Sequence, residues 1–236
     1  MSKQTFQKFT DAGFRKRLAT IKPYIKHAYD NVENLHVKIS NGNTKLGNIP
    51  SVSLLPVFDC GNCAACKHSC YDLRHDMIYK EVITSRATNS AIYASDPNRY
   101  FSEIEAWLTI NYPRAFRWHI GGDIKDVNYY RGMVKIAKKF PDIRFLCFTK
   151  QFRMLNSLWI NGENYPENLQ IVFSGWPGQE MENPFGVPSV HPIFADGTTS
   201  ARDGAKLCTG NCTECLREKK LCWTLRKTEE VVFPAH

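Results

Sequence analysis

No stretch of this chain approaches the roughly 20 consecutive apolar residues that a membrane-crossing helix needs. The opening run MSKQTFQKFTDAGFRKR also lacks the apolar middle of an export signal. Together these absences lead us to expect a cytoplasmic protein with no membrane partner. No fixed-period repeat or low-complexity segment is present, which excludes solenoid and fibrous architectures. Acidic residues are the scarcer charge, 23 Asp and Glu against 31 Lys and Arg, for a net charge of +8. Such a surplus favours acidic partners. The basic groups fall at Arg15, Lys16 and Arg17, at Lys135, Lys138 and Lys139, and at Arg217, Lys219 and Lys220. No nucleic-acid motif accompanies them, and the middle group has the spacing of a solvated helix face. Nucleic acid therefore enters as a candidate partner on charge alone.

What is present is enough apolar material for a folded core: 43% of the 236 residues are hydrophobic and 12% aromatic. We expect one domain over 1–236, with a helical extension over 1–45 and an α/β core over 46–236. Residues 1–36 read as one or two short helices, interrupted where Pro23 disfavours helix at Lys22. The stretch 39–44 is rich in turn formers and joins two elements. Ser51–Phe58 reads as a buried extended segment around Pro56. Helical spacing then covers Ile78–Tyr93 and Phe101–Tyr112, with Pro97 and Pro113 as punctuation. Phe116 to Ile120 alternates strictly, stops at Gly121-Gly122-Asp123 and gives way to a helix from Val127 to Phe140. Ile143–Phe148 with a following helix through Phe152, Leu155 and Leu158, and then Leu169–Phe173, repeat the unit. Strands alternating with helices predict parallel βαβ units, as a partial TIM-like barrel or an open sheet. Beyond Phe173 the chain reads as loop-rich, with a short closing strand at Val231–Phe233. Ligands in such folds sit at the carboxyl ends of the strands, which would put His119, Asp123, Thr149, Lys150 and Ser174 on one rim.

Cysteine is absent from most of the chain and concentrated where it occurs. Eight of nine cysteines form Cys60-x2-Cys63-x2-Cys66-x3-Cys70 and Cys208-x3-Cys212-x2-Cys215-x6-Cys222, with Cys147 alone between them. In a reducing compartment clustered thiols point to metal or redox chemistry rather than to disulfides. Each block supplies four thiolates, a full ligand set. The first has the spacing of the bacterial ferredoxin run, without its trailing proline, and packs four cysteines into eleven residues, which is tight for two opposed zinc knuckles. Iron–sulfur binding, with a [4Fe–4S] cluster as the form, is the expectation at all eight positions, and zinc is the alternative. Cys208-x3-Cys212-x2-Cys215 has the triplet spacing of radical S-adenosylmethionine enzymes, in which one iron stays open for the methionine moiety. Three features argue against S-adenosylmethionine here: Cys222 is at hand to close the set, the triplet lies late in the chain, and Glu214 stands where an aromatic is usual. At the first block Cys66-x3-Cys70-Tyr71-Asp72-Leu73 begins the same motif in the usual place, after the first strand, but Leu73 stands where the third cysteine belongs. The two blocks could also combine across the fold.

The run Phe116-Arg117-Trp118-His119-Ile120-Gly121-Gly122-Asp123, with Phe148-Thr149-Lys150 after the next helix, resembles the strand ends of the phage "gene product 88" family. Cys66-x3-Cys70-Tyr71 is similar to its early cysteine block. Cys212-x2-Cys215, Cys222-Trp223 and the ending Val232-Phe233-Pro234-Ala235-His236 resemble its late one. The resemblance spans roughly residues 50–236. It departs at Gly121, where the family has serine, and in the extra Cys60 and Cys63. It implies a phage or prophage origin, hence a host cytoplasm, a partial barrel related to radical S-adenosylmethionine proteins, and iron–sulfur binding, without an established reaction.

His119 and Asp123 are candidates for a proton-transfer pair, and Lys150 for holding an anion; all three residue types also tie down loops by hydrogen bonds. His68 and His75 flank the first block as further ligand candidates, although four cysteines suffice. Cys147, Trp118 and Trp176 read as packing residues. Two function classes stand. One is an iron–sulfur redox or radical-type enzyme, with a redox partner or host protein. The other is a binding module structured by zinc or inert clusters that uses its basic surface on nucleic acid or a host protein. A weaker third is a phage protein that intercepts host iron–sulfur or sulfur metabolism.

Overall fold

The computed structural model describes residues 9–61 and 66–235, with the side chains of 75–78 left out. Cys63 therefore lies outside the described residues, as do His236 and the side chain of His75.

The chain opens with α1 (Asp11–Asp30), capped by Thr10, whose hydroxyl accepts from the Gly13 N–H at 3.1 Å. The expected interruption at Pro23 does not occur: α1 runs through it. A proline inside a helix removes one hydrogen bond and crowds the preceding turn. Burial against α3 overrides that local cost, because Ile21 and Ala28 pack with Ile83, Ala87 and Ala91 in one apolar cluster. A 3-10 turn (Val32–Asn34) leads to β1 (Ile39–Ser40), inside the stretch read as a turn, and then β2 (Ser51–Val52). Only these two residues of the extended segment 51–58 pair as strand. The rest is loop, with Val57 in the left-handed region at φ 72°.

After the first cysteine block come α2 (Tyr71–Ile78), α3 (Lys80–Ser95) and α4 (Pro97–Asn111). Pro97 starts α4 rather than ending α3. Its missing N–H costs nothing at a first helical position, and the Asp96 side chain caps the end by accepting from the Arg99 N–H at 3.0 Å. The predicted repeat follows as β3 (Ala115–Trp118), α5 (Val127–Lys139), β4 (Arg144–Thr149), α6 (Phe152–Ile160) and β5 (Leu169–Ser174). The stretch read as loop also contains β6 (Ser189–Ile193), β7 (Lys206–Leu207) and α7 (Cys212–Arg217), with a 3-10 turn at Leu221–Trp223 before β8 (Glu230–Pro234).

The eight strands form one open sheet in the order β1-β2-β3-β4-β5-β6-β8-β7, and every neighbouring pair except β1–β2 is parallel. From β2 to β6 the order never reverses. Right-handed crossovers that all step the same way put the connecting helices on one face. That face carries the main core: Trp118, Phe116, Phe145 and Phe173 from the strands pack against Tyr100, Tyr129 and Tyr130, all essentially inaccessible. Full burial of each such side chain contributes about 1.5–3 kcal/mol. The other face has no helices from the βαβ repeat. Ala115, Leu146, Val172, Val190 and Val231 point to it, and the polypeptide from Cys208 to Leu225 folds back over them with Trp223 buried among them. The second cysteine block thus covers the face of the sheet that the crossover helices leave bare.

Candidate metal centre and strand-end rim

The second block is held by hydrogen bonds to two separate elements, β8 and the loop before β2. The Cys208 N–H extends the β8 ladder by donating to Val232 O at 2.8 Å. The Cys212 N–H donates to Lys45 O at 2.9 Å, and the Thr213 hydroxyl donates to Leu46 O at 2.7 Å, docking α7 on the loop before β2. Asn211 caps α7 by accepting from the Glu214 N–H at 3.0 Å. Lys219 and Leu221, two non-glycine residues in the left-handed region at φ 52° and 51°, then reverse the chain and return Cys222 toward Cys208, Cys212 and Cys215. All four thiols belong to the apolar cluster on this face, and Cys215 is 5% exposed.

Their electrostatics show the proximity. Burial pushes the Cys222 thiol up to about 12, and Cys208, Cys212 and Cys215 each push it the same way, while Arg117 pulls it down. Burial also raises Cys212, opposed by Arg117 and Lys45 and reinforced by Cys208 and Cys215. Four such groups repel one another when ionised, so a full thiolate set needs a cationic core to compensate it. The sulfurs already receive donors: Gly210 N–H to Cys208 Sγ at 3.4 Å, and a 3.4 Å contact between the Thr209 hydroxyl and Cys215 Sγ. Soft anionic donors in a partly desolvated pocket, with an N–H and a hydroxyl at the sulfurs, fit an iron–sulfur cluster. Among the described residues no three His, Cys, Asp or Glu side chains close onto a point where they could hold one ion. Four thiolates on one zinc sit within about 4 Å of one another, whereas a cluster places one thiolate on each iron and spreads them more widely.

The first block occupies a different place, the loop that follows β2 on the carboxyl-end side of the sheet. Cys60, Cys66 and Cys70 are neighbours there: burial raises the Cys70 thiol, with Asp72, Cys66 and Cys60 adding to it and the Leu73 N–H opposing. Leu73 and Val57 donate backbone N–H groups to Cys70 Sγ and Cys60 Sγ at 3.4 and 3.2 Å. The Gln151 amide donates to Cys60 O at 2.9 Å, tying this loop to the start of α6. Beside it lies a cleft of about 670 Å³ lined by both signs of charge, Lys125, Lys150 and Arg153 with Glu180 and Glu182. The thiols that shift Cys70 are those of its own block, and those that shift Cys212 and Cys222 are theirs.

Of the rim residues the structure links Asp123, Lys150 and Ser174, while His119 points away from them and makes no hydrogen bond to Asp123. Asp123, 5% exposed, accepts from the Lys150 N–H at 2.8 Å and the Ile124 N–H at 2.7 Å, and so ties the loop after β3 to the end of β4. Burial nevertheless raises its carboxyl to about 6, against those hydrogen bonds and the Lys150 charge. The Lys150 ammonium donates to Ser174 Oγ at 2.8 Å. His119 leaves the strand at φ 54°, and its ring turns toward the helix face, 5.1 Å from the Tyr129 ring. Its Nδ1 lies 3.8 Å from Cys147 Sγ, and its Nε2 is buried without a hydrogen-bond partner. Burial, with the Arg117 charge as the lesser cause, holds the imidazole down at about 3. Cys147 is buried in the main core, as read.

Three features escaped the sequence reading. Asp59, 3% exposed, pairs with Lys125 at 2.6 Å and accepts from the Ser90 hydroxyl at 2.5 Å. Arg86 and Asp72 form a buried ion pair at 2.7 Å. A Cβ at Gly121 would lie 2.5 Å from Arg86 Cζ, so the space beside the position where the resemblance expects serine is occupied here by a guanidinium. Arg117 is the third: it lies on the bare face beside the second block. The alternation of Phe116, Arg117 and Trp118 predicts its side, but nothing local predicts what covers that side.

No curated protein and no solved structure is similar enough to the chain to count as a match. The family model described as Gene product 88 matches residues 24–182. The match begins earlier than the resemblance read from the motifs and stops short of the second cysteine block, while it includes the first block, the β3 strand end and Lys150. It spans about two thirds of the sequence, and the chain belongs to the Gene product 88 family.

Proposed function

We propose that this chain is an iron–sulfur protein whose second cysteine block, Cys208, Cys212, Cys215 and Cys222, holds one cluster against the bare face of the sheet. The observation that carries this reading is the return of Cys222 to the other three thiols by the left-handed pair Lys219 and Leu221. A bound cluster of this kind supplies one-electron chemistry. Four thiolates close it to small molecules, which suits electron transfer or a structural role.

The chain's own residues do the rest. Burial against Trp223, Leu225 and Leu146 limits water access, and the Gly210 N–H faces the Cys208 sulfur. In the same reading Cys60, Cys66 and Cys70, with Cys63, hold a second cluster. Its position after the first parallel strand, beside a polar cleft that carries both Lys150 and Glu180, supports a redox or radical-type reaction on a small ligand there. Alanine at Cys222 tests the first claim: the spectrum of the anaerobically reconstituted protein should change in intensity and form. An unchanged spectrum means that Cys222 is not a ligand, and the closed-cluster reading falls. Release of methionine or 5′-deoxyadenosine from S-adenosylmethionine by the reduced protein would show instead that an iron is open.

A further inference from the structure

β2 and β3 pair in parallel, with Ser51 opposite Arg117 and Val52 opposite Trp118. Val52 and Trp118 face the helix side, so Ser51 and Arg117 share the bare face, next to each other and on the side where the second cysteine block lies. Both carry an unmet polar atom. Ser51 is 1% exposed and its Oγ has no hydrogen-bond partner; the Arg117 Nε is buried and has none either. The guanidinium stacks over the Phe148 ring at 4.7 Å, which fixes its plane. Among the described residues no carboxylate forms an ion pair with it. A buried donor left unmatched is costly, and a guanidinium most of all. Two unmet polar groups side by side, on the face that the second block covers, are explained at once by an anion between them and that block.

We propose that Arg117, with Ser51 beside it, is the charge and hydrogen-bond partner of an anionic iron–sulfur cluster on the second block and sets its reduction potential. The inference rests on the cluster proposed above. On reduction the cluster gains one electron from the reductant, no bond forms or breaks, and its net charge becomes more negative by one. A fixed cation at this range favours the reduced form. Arg117 is thus a positioning and tuning residue rather than a ligand.

The test is an anaerobic dithionite titration followed by electron paramagnetic resonance on the full chain. The second-block signal is identified as the one lost in Cys212→Ala, and iron and sulfide are measured in every sample. Arg117→Gln should keep the iron content and weaken the reduction equilibrium by about tenfold, which for a one-electron couple is about 59 mV toward negative potential. Ser51→Ala should shift it the same way by less, and Arg117→Lys should stay close to the parent. Full iron content with an unmoved potential in Arg117→Gln overturns the inference and leaves the cluster reading intact. Absence of iron and sulfide from the parent chain overturns the cluster reading, and the inference with it. If Arg117→Gln fails to take up iron, Arg117→Lys decides: recovery of the parent load supports the charge role, and failure overturns it.

Discussion

Two separately buried titratable groups after β3, His119 and Asp123, make the pH dependence of stability a sharp probe of the strand-end rim. His119 has an ordinary value of 6.5 and is held down at about 3 in the fold. Between those values the unfolded chain binds a proton that the folded chain refuses, so stability falls as pH drops, by about 1.4 kcal/mol per pH unit. Asp123 does the opposite. Its carboxyl is raised from 3.8 to about 6, so between those values the folded chain binds the proton first and stability rises as pH drops. The two slopes cancel between about pH 6 and pH 4 in the parent protein. Asp123→Asn removes one of them and exposes the histidine slope. Over two pH units the variant should lose about 3 kcal/mol relative to the parent, on top of a pH-independent cost for the weakened hydrogen bonds to Lys150 and Ile124. Urea unfolding of both proteins at half-unit steps from pH 7 to pH 4 measures this. A stability difference that stays constant across the range would refute the claim that Asp123 is buried with a raised carboxyl.

Two further outcomes follow from side-chain geometry. Gly121→Ala should drive the Arg86 guanidinium off Asp72 and cost up to about 3–5 kcal/mol, the usual effect of breaking a buried ion pair. The loss should shrink when Asp72 is already asparagine, and additive losses in denaturant melts would show that the two sites do not communicate. Cys147→Ala should leave iron and sulfide unchanged and cost about 1 kcal/mol, because burial keeps this thiol protonated inside the core. Slow alkylation of Cys147 in the native protein, measured by mass spectrometry, checks the same point, and rapid labelling would contradict it.

Much of the fold was legible because it rests on local periodicity. β3 alternates, α5 is strongly amphipathic, and β4 and β5 are bounded by turn formers, so the parallel βαβ core follows from the sequence. β6 was hidden for a physical reason. Its residues Ser189 to Pro192 are all buried, so no alternation appears, and Pro192 sits inside it. Its polar members satisfy one another and a following loop: the two His191 ring nitrogens meet Ser189 Oγ within the strand and Ser200 Oγ beyond it, both at 2.9 Å. α1 crosses Pro23 because packing on α3 outweighs a local preference. The candidate site divides along the same line. The spacing of the cysteines identified both blocks. That the second folds back onto the sheet opposite Arg117 depends on contacts between Cys212 and Lys45 and between Cys208 and Val232, which are remote in sequence and leave no local signal.

The central claim is the iron–sulfur centre on the second block, and the most direct measurement is iron, zinc and acid-labile sulfide in the protein purified without oxygen, with electron paramagnetic resonance after reduction. Iron and sulfide in near-equal amounts are expected, with a reducible signal that disappears in Cys212→Ala. Zinc without sulfide, unaffected by air, would contradict it.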